Sequence, residues 1–201
     1  MELLLDNLEL YAPVTLGGLR LTDDEFLVFC AEHEDLRVES NPKGEVEIMP
    51  GTGPSTGYRN MDIAVQFGAW SKQTRVGRAF DSSTMFVLPS GARRSPDASW
   101  ISRDRVAAVP AEQRNRLWHI CPEFVIELRS PSDRPRLLAA KMEEWIENGV
   151  HLGWLIDPEE RTVTIYRAGL EPELLHAPAS LAGEGPVGGF VLDLAEVWLG
   201  A

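Results

Sequence analysis

The sequence contains no apolar run of the about 20 residues that a membrane-spanning helix takes, and its 201 residues include only two cysteines. Cys30 and Cys121, which lack the paired spacing of a zinc site, read as buried thiols rather than a disulfide. Histidine is also scarce. His33, His119, His151 and His176 are scattered without ligand spacing, which places them at the surface or core edge rather than on a metal. Basic residues are outnumbered, 19 against 31 acids, and the net charge of −12 argues against strong nonspecific affinity for a polyanion. No internal repeat or low-complexity linker is present. The N-terminal Met1-Glu-Leu-Leu-Leu-Asp6 lacks a basic leader and a small-residue cleavage site, so a soluble, cytoplasmic protein is expected.

What is present is a chain 44% hydrophobic, long enough for one well-packed domain over residues 1–201 and short for two. Its charge is uneven. Ten basic residues and six acids lie between Arg93 and Lys141, which leaves that segment at +4 and the rest of the chain at −16. A polyanion approaching one face and ordinary solvated arginines explain this about equally well.

Thr22-Asp-Asp-Glu25 has the spacing of a capping box and predicts a helix to about His33. Leu36-Arg-Val-Glu39 and Glu45-Val-Glu-Ile-Met49, joined by Asn41-Pro-Lys-Gly44, alternate like a hairpin. Ile63, Phe67 and Trp70 recur at helical spacing within a predicted long helix over residues 55–74. Extended segments follow at residues 78–81, 85–88 and 97–101, then a short helical or irregular connection over 106–117. Phe124-Val-Ile-Glu-Leu128 reads as a central strand because it is nearly continuously apolar. Next comes a helix over residues 135–147, with Leu138, Met142, Trp145 and Ile146 as its core stripe. A second hairpin over 153–157 and 162–166 precedes a tail of short strands and loops that ends in the apolar stretch 194–199. The order suits a mixed α/β fold with helices flanking a central sheet.

Two acids stand out. Glu127 and Asp97 both lie at the ends of strand-like segments, and hydrolysis of a phosphodiester by hard Mg²⁺ needs such carboxylate oxygens, with several waters retained. The backbone carbonyl of Leu128 is a candidate third ligand. Two cations are candidates to stabilise developing charge: Arg129, placed by period-two alternation on the face of Glu127, and Lys141 on the following helix. Arginine stays protonated, so Arg129 can clamp phosphate but cannot act as a base, whereas Lys141 can do either. A structural ion pair between Glu127 and Arg129 is the plain alternative. Pro50-Gly-Thr-Gly-Pro54 lacks the residues of a phosphate loop and reads as a turn, although Gly51 and Gly53 would also let backbone approach DNA. Trp70, Trp145, Trp154 and Trp198 sit in apolar patterns and read as core. Ser130-Pro-Ser-Asp133 is expected to cap the helix after it, with phosphate binding at that helix N-terminus as the alternative.

Arg94-Ser-Pro-Asp-Ala-Ser-Trp-Ile101, Cys121-Pro-Glu-Phe-Val-Ile-Glu-Leu-Arg-Ser-Pro-Ser-Asp133, Lys141-Met-Glu-Glu-Trp145 and Gly149-Val-His-Leu-Gly-Trp-Leu-Ile-Asp-Pro158 occur in that order. Together they resemble the Uma-type family of bacterial restriction-endonuclease-like proteins, within the PD-(D/E)XK nuclease superfamily. The similarity runs from the Leu36-Arg-Val-Glu39 hairpin to Gly189-Phe-Val-Leu-Asp193 and covers most of the chain. It implies a restriction-endonuclease-like fold, with Asp97 and Glu127 as metal ligands for Mg²⁺ (Mn²⁺ as substitute) and Glu39 as a further acid. It also implies DNA as substrate. The superfamily's usual lysine, two residues after the glutamate, is Arg129 here. Related branches move that lysine to the next helix, so the resemblance assigns water activation to Lys141 and leaves Arg129 to phosphate or structural pairing. A homodimer would supply two sites for two strands, and a noncatalytic scaffold that keeps the nuclease fold is the alternative.

Overall fold

Local signals start and stop the elements where their chemistry allows. In the computed structural model, which describes residues 13–201, strand β1 (Val14–Leu16) leads into helix α1 (Asp23–Glu32). Thr22 Oγ1 accepts the Glu25 amide at 3.3 Å and the Glu25 carboxylate accepts the Thr22 amide at 2.8 Å, which is the reciprocal cap expected. Strands β2 (Arg37–Ser40) and β3 (Val46–Met49) form the first hairpin. Its turn is held by Asn41, whose side-chain oxygen accepts the amides of Lys43 and Glu45. Helix α2 (Pro54–Thr74) follows, with proline in its first turn where no amide is needed.

Four short strands come next: β4 (Gly77–Asp81), β5 (Phe86–Val87), β6 (Arg93–Arg94) and β7 (Ala98–Ser102). The connection expected over residues 106–117 to be short helical or irregular is preceded and entered by a small helix, α3 (Arg103–Ala108). Strand β8 (Phe124–Leu128) is buried along its whole length, as its continuous apolar run requires. Helix α4 (Pro135–Glu147) buries Leu138, Met142 and Trp145. The second hairpin is β9 (Leu152–Asp157) with β10 (Thr162–Arg167). The tail forms β11 (Glu173–His176), β12 (Ser180–Ala182) and β13 (Val191–Asp193). It closes on a helix, α5 (Ala195–Leu199), over the apolar stretch that ends the chain.

A six-stranded mixed sheet has the order β11-β10-β9-β8-β7-β4, with β8 and β9 parallel and the other pairs antiparallel. The parallel pair is connected through α4, as a parallel crossover must be. A five-stranded antiparallel sheet has the order β1-β3-β2-β6-β5. One face of the large sheet packs Phe124, Ile126 and Trp154 against Ile63 and Phe67 of α2, and the other packs Val125 against Met142 and Trp145 of α4. Each such large apolar side chain contributes about 1.5–3 kcal/mol on burial, so β8 is clamped from both sides. Gly153 on β9 permits the close approach of α4, since a Cβ there would stand 2.5 Å from the Met142 methyl.

The loop before α4 departs from expectation. The cap position is Arg134 and no side chain caps it. Asp133 turns back instead, and its carboxylate accepts the Ser130 amide at 2.7 Å and the Ser130 hydroxyl at 2.8 Å. This local turn takes the oxygens a cap would need. Cys30 and Cys121 are free thiols, as expected, but only Cys121 is buried and Cys30 is partly exposed. Among the described residues, no helix is long and apolar enough to cross a membrane.

Candidate active site

Asp97 and Glu127 are brought together by strand register. Ala98 pairs with Ile126 across β7 and β8, so the next residues outward, Asp97 and Glu127, occupy opposing positions. Asp97 Oδ2 accepts the Leu128 amide at 2.8 Å, and Oδ1 accepts the Asn60 side chain at 3.3 Å. Glu127 Oε1 accepts the Trp145 indole at 2.9 Å and lies 3.0 Å from Lys141 Nζ. Lys141 and Trp145 are one turn apart on α4, so both reach the same carboxylate oxygen. Glu127 Oε2 has no hydrogen-bond partner among the described residues.

Burial and charge set the protonation of this group. Glu127 is 3% exposed, and burial, helped by the nearby acids Asp97 and Glu39, pushes its carboxyl up to about 7 despite Lys141. Burial also raises Asp97, with Arg37 opposing. Glu39 goes the other way: burial works against its charge, but Lys141 and Arg94 outweigh it and hold the carboxyl below its ordinary value. Burial likewise disfavours the Lys141 ammonium, yet Glu127 and Glu39 prevail and raise it above the usual lysine value. Lys141 is therefore held as a cation. A permanently protonated amine can orient water or neutralise charge but cannot take a proton.

Behind this pair lies a buried ion network. Glu39 and Glu47 stand directly opposite on β2 and β3, an arrangement of like charges that needs a cation between them. Arg94 supplies it. Its guanidinium contacts Glu39 at 3.1 Å, Glu47, and Glu144 of α4 at 2.5 Å. Glu39 also accepts Lys141 at 3.0 Å and the Ser95 amide at 3.2 Å, so it fixes the lysine rather than facing solvent.

A cavity of about 50 Å³ opens at the acids, with Arg37, Thr56, Asp97, Glu127, Leu128 and Lys141 in its wall. Of the residues singled out in the sequence, Asp97, Glu127, Leu128 and Lys141 meet here, and Glu39 touches Lys141 from behind. Arg129 does not join them. Its guanidinium lies 2.7 Å from Asp157 and 3.1 Å from Glu159, at the turn between β9 and β10, and its role here is structural pairing. Alternation placed its backbone on the face of Glu127, but its long side chain reaches the neighbouring strand.

Three residues with a part here were not singled out. Arg37 lies 3.7 Å from Asp97, two residues before Glu39, and the alternation argument applied to Glu127 would have found it. Asn60 on α2 contacts Asp97, and Trp145 was read only as core. Neither carries a sequence signal for that contact.

The donors suit a hard cation. Asp97 and Glu127 offer carboxylate oxygens and Leu128 a carbonyl at the same cavity, and Asn60 Oδ1 is a buried acceptor without a partner among the described residues. No group of three or more His, Cys, Asp or Glu side chains poised to hold a metal occurs among the described residues. The set is therefore two carboxylates with backbone and water, within what Mg²⁺ accepts.

A mixed sheet flanked by helices, with paired acids at the ends of two central strands, defines a restriction-endonuclease-like fold. A crystal structure of a "putative nuclease belonging to DUF820" from Anabaena variabilis ATCC 29413 matches it with a TM-score of 0.70 and 23% identity, covering 89% of this chain and 98% of that one. Residues 23–195 match the Uma2 family, described as "Putative restriction endonuclease", and the chain belongs to that family. Comparison with curated proteins returns no match.

Proposed function

We propose that this protein is a Mg²⁺-dependent endonuclease that hydrolyses DNA phosphodiester bonds, with Mn²⁺ as a substitute metal. The observation that carries this reading is the pairing of Glu127, buried, with Asp97, largely buried, two acids held above their ordinary pKa values at one small cavity. Such a pair is electrostatically costly unless a cation joins it, and strongly shifted acids in a cleft are a mark of functional sites. Asp97, Glu127 and the Leu128 carbonyl would hold the metal, which when bound polarises a phosphoryl oxygen and acidifies a water.

The chain's own groups divide the remaining work. Lys141, fixed by Glu39, orients the attacking water and neutralises charge as an ammonium. Arg37 faces the scissile phosphate from the opposite wall. Arg94 bridges Glu39, Glu47 and Glu144 and so holds β2 against α4. Arg129 is left to pairing with Asp157 and Glu159. Cutting both strands calls for two such sites, and a homodimer supplies them.

A second reading, a noncatalytic nuclease-fold scaffold, is favoured by one observation: Lys141 already lies 3.0 Å from both Glu39 and Glu127, which partly neutralises the acids without an ion. Plasmid nicking separates the two. Purified protein with Mg²⁺ or Mn²⁺ is expected to nick supercoiled DNA, and Asp97→Ala or Glu127→Ala to abolish it. Cleavage that survives both substitutions would sink the assignment, and a protein that neither nicks nor binds metal is the scaffold.

A further inference from the structure

We infer that a second cavity, separated from the acidic one by Arg37, receives an unpaired nucleobase of the substrate strand; this deepens the nuclease reading and rests on it. The cavity has a volume of about 500 Å³, within the roughly 300–1,000 Å³ of small-molecule sites. Phe80 and Trp118 form an aromatic wall backed by the fully buried Phe86, with Phe80 meeting each of the other two edge to face at 5.7 Å between ring centroids. Around it stand Arg37, Arg114 and Arg116, and no carboxylate is among its lining residues.

On a chain of net charge −12, three guanidiniums around an aromatic wall without an acid complement one ligand chemistry. Rings and guanidinium planes stack on a base, and the cations meet the flanking phosphates. Arg116 shares the exposed Asp24 at 3.4 Å, whereas Arg114 has no ion-pair partner among the described residues. Arg37 joins the two cavities. It lines both, its guanidinium lies 3.7 Å from Asp97, and its Nε is buried with no hydrogen-bond partner among the described residues. A phosphate held between Arg37 and the acids would leave an adjacent base at the aromatic wall.

A base stacked inside a duplex cannot enter such a concavity; it must be flipped out or lie in a single strand. The substrate class is therefore DNA with an unstacked nucleotide next to the scissile phosphate, either a single-stranded segment or a flipped base.

The test is binding of the full-length protein in EDTA, where no metal supports cleavage, to fluorescent single-stranded oligonucleotides that carry an abasic site at each position in turn. Anisotropy is expected to show one position where loss of the base weakens binding about tenfold, in line with single-base stacking. Arg114→Ala, an exposed substitution that leaves the core alone, is expected to shrink that penalty, and Trp118→Leu to erase it. Alkylation of Cys30, which lines the cavity, should be slowed by the intact strand and not by the abasic one. A flat abasic profile, or a penalty unchanged in both variants, overturns the inference, even for a protein that cuts plasmid with Mg²⁺. A tenfold penalty removed by the variants supports it, even for a protein that cuts nothing, in which case the hydrolytic reading alone falls.

Discussion

Replacing Glu127 by glutamine should stabilise the folded protein in alkaline solution while removing its activity. Burial raises this carboxyl from 4.5 to about 7, and at about 1.4 kcal/mol per tenfold displacement of a proton equilibrium this sets about 3 kcal/mol against the ionised form. Between those two pH values the folded protein keeps a proton that the unfolded chain has released. Stability attributable to Glu127 is therefore fully present below pH 4.5, falls as pH rises through the window, and is gone above about 7. Glutamine mimics the protonated acid. Its carbonyl can accept Trp145 and Lys141 at the place of Oε1, its amide takes the place of the unpartnered Oε2, and Lys141 keeps Glu39. Urea denaturation in EDTA from pH 4 to 9 should show the two proteins equal at the acid end and the variant ahead by up to about 3 kcal/mol at pH 8. Divalent metal should largely close that gap. A metal at a hundred times its dissociation constant stabilises the wild type by about 2.7 kcal/mol through mass action, and the glutamine variant, which lacks the ligand charge, should gain far less. A variant less stable than wild type at pH 8, or one with an unchanged pH slope, would refute the reasoning.

Four further outcomes follow. Arg94→Met strands Glu39, Glu47 and Glu144 in a largely buried site, and thermal or urea unfolding should show a loss of about 3–5 kcal/mol. Gly77→Ala drives a Cβ into the Trp100 ring and, at 2.5 Å, the backbone carbonyl of Ile101; since the backbone must shift, denaturation should show a loss of about 1–3 kcal/mol or more. Arg129→Ala removes only the contacts to Asp157 and Glu159. Plasmid nicking should stay within about twofold of wild type with a stability cost of about 1 kcal/mol or less, whereas Lys141→Met should abolish nicking.

The elements were largely legible because their signals are local. The Thr22 capping box, the Asn41 turn and the Leu138, Met142 and Trp145 stripe each fix backbone over a few residues. The site was legible where a short side chain at a strand end has little choice of direction, as with Asp97 and Glu127. It was not legible where reach or tertiary pairing decides. Arg129 leaves the face its backbone occupies because Asp157 and Glu159 lie within range on the next hairpin. Arg94 was visible as part of a motif, but its three acidic partners come from β2, β3 and α4, elements that only the fold brings together. The Ser130 to Asp133 turn looked like a cap because the same side chains serve both purposes, and the competing bond to the Ser130 amide prevailed.

The central claim is that Asp97 and Glu127 form a divalent metal site, and a crystal soaked in Mn²⁺ and measured for anomalous scattering tests it most directly. The account predicts a peak between the two carboxylates, at about 2.0–2.2 Å from oxygens of both, in the range of small hard divalent ions. A peak only at exposed surface acids, with Lys141 still bridging Glu39 and Glu127 and no ion at Asp97, would contradict it.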